Sequence, residues 1–88
     1  MTGCARILES LQIARGQGFN YDDPKSLPQD SPSYGWVSAW HLASDLQVLN
    51  YRGRIDELRR RGHTITNHTE RNEHGKARSF YRLEEAGA

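Results

Sequence analysis

The side chains able to do chemistry in this 88-residue chain are four histidines, one cysteine, eleven carboxylates and a cluster of arginines. Their spacing excludes most reactions. His41, His63, His68 and His74, taken with Cys4, show none of the close ligand pairs that a tetrahedral zinc site uses. His63 and His68 are five positions apart and would face opposite sides of a strand. No pair resembles a nucleophile with its base. The "GQG" at 16–18 lacks the preceding strand and trailing pattern of a phosphate loop. The chain is expected to be no enzyme, with neither cofactor nor metal.

What remains is anion recognition. In "YRGRIDELRRRGHTI", Tyr51 to Ile65, arginine stands at 52, 54, 59, 60 and 61. A guanidinium fork suits a guanine edge or a phosphate, so Arg52 and Arg54 are candidates for either. The alternative is a solvated helix flank, with Arg54 nearer the core and bracing it. Arg59–Arg61 would close a helix, where positive charge complements the dipole by roughly 0.3–1 kcal/mol each. Arg60 is the most outward of that run and the best phosphate candidate. Asp56 and Glu57, on the outward face, would repel phosphate. Asp56 could instead pair with Arg52 or Arg60 at i±4, a gain of about 0.2–0.5 kcal/mol, or accept from a cytosine amine.

Net charge is only +1, but it is unevenly spread. Residues 1–50 hold three basic against five acidic side chains, and residues 51–88 hold nine against six. The basic field therefore belongs to the second part, and local field governs an encounter with phosphate. With 35% hydrophobic and 26% charged residues and a mean hydropathy of −0.86, the composition is polar but foldable. The length suits one domain, 1–88, with a modest core. No apolar run approaches the roughly 18 residues of a membrane span, and "MTGCARILESLQ" does not read as a secretory signal. One cysteine forms no internal disulfide, which suits a cytoplasmic location.

Six elements must position the arginines. Ile7, Leu8, Leu11 and Ala14 make one stripe of a first helix, about 5–14, ended by Gly16 and Gly18. Residues 17–35 hold all three prolines and read as a long loop. Its Phe19, Tyr21, Leu27 and Tyr34 would fold it over the first two helices, with a binding loop or disorder as the alternatives. Trp36 and Val37 suit a short strand, and Ser38 an N-cap for a second helix with Ala39, Leu42, Ala43 and Leu46 on its apolar side. Trp40 lies opposite that side, covered by the loop or free for a partner. Asn50 would cap a third helix running to Arg61, with Gly62 as its C′ residue and Tyr51, Ile55 and Leu58 on its core face. "HTITNHT" and "SFYRL" read as two strands around a charged turn, "ERNEHGKAR". Tyr81 and Leu83 can face the core, leaving Phe80 outward. The tail, 84–88, is expected to fray.

The order helix, short strand, helix, tight turn, helix, β-hairpin resembles the winged helix-turn-helix family. The likeness rests on "VSAWHLASDL", "RIDELRRRGHTI" and "SFYRL", and is nearest to small phage and prophage proteins of that family. It implies an α+β fold, with three helices packed on a small antiparallel sheet and a C-terminal hairpin wing. It also implies double-stranded DNA binding in transcription regulation. Base readout would come from Asn50, Tyr51, Arg52 and Arg54 at the start of the third helix, with Tyr51 spent on the core in the alternative. Phosphate contacts would come from Arg60, from Lys76 and Arg78 of the wing, and from the start of the second helix near Ser38. The competing reading is a protein-interaction module using Trp40, Phe80 or the 17–35 loop. A monomer or a weak homodimer is expected in both.

Overall fold

Helix α1, Gly3–Gln17, buries Cys4, Ile7, Leu11 and Ala14 along one stripe, as the spacing requires. It is longer than expected at both ends, and Gly16 lies inside it. The computed structural model describes residues 3–22, 24–25, 32–71 and 74–84. Within them the order is α1, β1 (Trp36–Ser38), a π-helical stretch (His41–Asp45), α2 (Tyr51–Arg60), β2 (Ile65–Arg71) and β3 (Ala77–Leu83). The molecule is α+β: three helices against a three-stranded antiparallel sheet of order β1-β3-β2.

Of the predicted helix boundaries, Gly18 (φ +73°), Ser38 and Gly62 act and Asn50 does not. Ser38 Oγ accepts the His41 N–H at 3.0 Å and so starts the second helix. After residues 39 and 40 that helix widens, with Leu46 N–H bonding His41 O at 3.1 Å, five residues back. Gly62, at φ +104°, ends α2. Its N–H reaches Arg59 O and the next N–H, of His63, reaches Leu58 O, both at 3.1 Å, which is a Schellman closure. Asn50, by contrast, makes no side-chain cap bond. Its amide lies over Gly53, where a Cβ would stand only 3.0 Å from Asn50 Oδ1.

The core lies between α1, α2 and the inner face of the sheet. Ile7, Leu11, Val37, Leu42, Ile55, Leu58, Ile65, Tyr81 and Leu83 form one buried cluster. Tyr81 and Leu83 face it beside Ile65, as the alternation predicts. The hairpin is longer than its sequence suggests. Glu70 and Arg71 pair with Arg78 and Ala77, so residues expected in the turn belong to the ladder.

Of the loop's described residues, Lys25, Pro32 and Tyr34 lie against the outer face of the sheet and not over the first two helices. Pro32 O accepts the Trp36 indole N–H at 3.0 Å, Tyr34 O accepts Arg82 Nε–H at 2.8 Å, and Lys25 N–H donates to Glu70 at 2.9 Å. Tyr21 reaches back toward the helices, and Gly35 lies against Arg15 of α1. Tyr21 bridges Val37 beyond β1 and stacks on His41 with centroids 4.0 Å apart. Phe80 therefore faces outward and is nevertheless fully buried, with His68 and the Arg78 guanidinium over its ring. Leu27 lies outside the described residues, as does most of the predicted tail. Glu84, the first residue of that tail, is held by its N–H to Thr64 O at 2.9 Å.

Candidate nucleic-acid interface

Strand parity and helix pitch decide which basic side chains share a surface. On α2 the buried residues are Ile55 and Leu58. Positions 52, 56 and 59 run along the edge beside Ile55, and position 60 lies opposite the buried pair, at 3.6 residues per turn. On β2 the residues sharing the side of Ile65 are Asn67, Thr69 and Arg71, by the period of two. The two sets meet in a cleft of about 250 Å³ lined by Arg52, Ile55, Asp56, Arg59, Asn67 and Tyr81.

The arginines of α2 divide by what they already bind. Arg59 donates to Ile65 O at 2.8 Å and lies 3.7 Å from Asp56. It braces the turn into β2, and it, not Arg52 or Arg60, neutralises Asp56. Arg54 and Arg61 both reach Glu57, at 3.4 and 2.9 Å. Glu57 is not on the outward face. It sits at the seam with α1 and accepts the Cys4 thiol at 3.0 Å. That hydrogen bond, then the Arg61 charge, hold the Glu57 carboxyl below its usual range. The same bond, with burial and the carboxylate charge, raises the thiol. Arg52 and Arg60 have no carboxylate within ion-pair distance among the described residues, and both are exposed. Arg52 lies over the Tyr51 ring at 6.0 Å.

The other candidates are placed as follows. Asn50 is exposed at the head of α2. Tyr51 is half-buried and packs edge-on to Tyr81 at 6.2 Å, so part of it belongs to the core. Burial, foremost, raises the Tyr81 hydroxyl above its ordinary value. Lys76 is exposed at the hairpin turn.

Two candidates move. Ser38 is 2% exposed, and its hydroxyl both caps the second helix and donates to Asp22 at 2.6 Å, so it offers nothing to a phosphate. Arg78 turns to the outer face, over Phe80 at 5.1 Å and 4.0 Å from Glu70. On the side of the sheet that Ile65 shares, the exposed basic side chain is Arg71, with no carboxylate in range among the described residues. Sequence reading put Arg71 in a turn, where parity says nothing. Extending the strand from Ile65 by twos would have found it.

Trp40 is 63% exposed and is not covered by the loop. Among the described residues no helix is long and apolar enough to cross a membrane, and no three metal-ligating side chains gather. Comparison with family models, with curated proteins and with solved structures found no match.

Proposed function

We propose that this chain is a winged helix-turn-helix domain that binds double-stranded DNA, with α2 in the major groove and the β2–β3 hairpin as the wing on the backbone. The observation that carries the reading is the division of the arginines. Asp56 and Glu57 are occupied by Arg59, Arg54 and Arg61, while Arg52, Arg60 and Arg71 stand exposed without carboxylate partners among the described residues. The acidic pair that would repel phosphate is thereby neutralised within the domain. Asn50 and Arg52, at the head of α2, are the base readers in this orientation, since helix N-terminal side chains reach base edges. Arg60, Arg71 and Lys76 are the phosphate contacts. A cytoplasmic regulator of phage or mobile-element type is the role that suits such a domain.

The test is a mobility shift of labelled random-sequence duplex by the purified chain at low and at moderate salt. Non-specific binding at low salt that fades as salt rises is expected, because bound cations of the duplex are released on binding. No shift at low salt would overturn the reading.

A further inference from the structure

A second surface is built from different parts. β3 runs for seven residues but β1 for three, and β1 pairs only with Phe80, Tyr81 and Arg82. After Ser38 the chain leaves the sheet and becomes helical. Ala77, Arg78 and Ser79 are paired with β2 on one side, and no described strand lies against them on the other. Alternate residues of a central strand turn their N–H and C=O to opposite sides, so this stretch presents an unpaired ladder edge. Such edges are usually covered or blunted, because they template another strand.

The space beside that edge is a groove of about 600 Å³. Ala39, Ala43, Ala77 and Ser79 line it with small side chains, and Trp40 and Tyr51 with large ones. Trp40 is the large aromatic left most exposed among the described residues, although apolar surface lies beside it. Charge argues against DNA as the occupant. Arg78 lines the groove in part, but its guanidinium lies over Phe80 and 4.0 Å from Glu70 on the outer face, while Asp22 stands on the groove's rim. A carboxylate there repels phosphate and favours a basic side chain.

We infer that the groove between Trp40 and residues 77–79 binds an extended peptide that adds a strand to β3, seats an apolar side chain against Trp40 and sets a basic one toward Asp22. The backbone edge supplies pairing, and the groove supplies selection at alternate residues. The occupant differs from the proposed DNA, and its site does not use Arg52, Arg60 or Arg71.

The chain carries its own reporter. Trp36 is fully buried and Trp40 exposed, so a change in iodide-quenchable emission reads the groove. The probe is a pool of blocked hexapeptides with valine, leucine or phenylalanine at alternate positions and lysine or arginine between. Saturable loss of iodide quenching at or below about 1 mM is expected, a modest affinity for a single added strand. The same pool N-methylated at alternate residues cannot complete the ladder and is expected to bind at least tenfold more weakly, as is the parent pool to Asp22→Asn. Three results would each overturn the proposal: no protection up to about 1 mM, equal binding of the N-methylated pool, or protection by random-sequence duplex with none by peptide.

Discussion

Replacing Arg82 tests how the loop is fastened to the sheet. Its side chain is 2% exposed, donates Nε–H to Tyr34 O at 2.8 Å and NH1 to Glu84 at 2.9 Å, and lies over the Tyr34 ring at 5.1 Å. Arg82→Ala removes a charge-assisted bond to a backbone carbonyl, about 1.5–3 kcal/mol. It also removes a cation–π contact of about 0.5–1 kcal/mol and buried methylenes at about 0.8 kcal/mol each. Against these stand the regained rotamer freedom of arginine, about 1.5–2 kcal/mol, and relief from holding a guanidinium out of water. The Glu84 left behind is partly exposed and can rehydrate, which limits the penalty. The net expectation is a loss of about 2–4 kcal/mol. A domain of this size holds only roughly 4–13 kcal/mol in total, so the variant should unfold at clearly lower urea. Arg82→Met keeps the stem and should recover about half. Urea unfolding followed by circular dichroism, with a loss under about 1 kcal/mol for Arg82→Ala, would refute the claim that this side chain clamps residues 32–35 to the sheet.

Other perturbations separate the surface from the scaffold. Arg71→Ala should weaken duplex binding severalfold, with a salt slope shallower by about 0.9, and Arg78→Ala should leave binding nearly unchanged; anisotropy titrations of both variants show whether strand parity sorts them. Glu57 has its carboxyl lowered in the fold, so its contribution is present above the unfolded value near 4.3 and fades as pH falls through the lower folded value. Glu57→Gln should therefore flatten the acid side of the melting-temperature profile, and a profile parallel to the parent's would contradict that coupling. Gly62→Ala forces a side chain to φ +104° and should cost about 1 kcal/mol or more, measured by the same urea transition.

Much of the architecture was legible because local signals agree with the burial they serve. Ser38 and Gly62 mark true helix boundaries, and the 3.6 and 2.0 periods identify Ile55, Leu58, Ile65, Tyr81 and Leu83 as core. The failures share a cause, which is long-range packing without a local signature. Nothing near Arg82 or Glu70 announces that Tyr34, 48 residues away, and Lys25, 45 residues away, bind them, so polar residues become buried. Ser38 was read correctly as a cap, but that same bond, with Asp22, removes it from the surface. The partners of Asp56 and Glu57 depend on where α1 and the turn into β2 lie, which i±4 spacing alone does not convey.

The most direct measurement is the salt dependence of duplex affinity for the parent chain and for Arg52→Ala/Arg60→Ala, with folding checked by circular dichroism. With Arg60, Arg71 and Lys76 on phosphate, the parent's log affinity should fall against log salt with a slope of about −3. The double variant should bind at least tenfold more weakly, with a slope shallower by about 1, since Arg60 alone of the pair is on phosphate. A folded double variant with the parent's affinity and slope would contradict the assignment of this face to DNA.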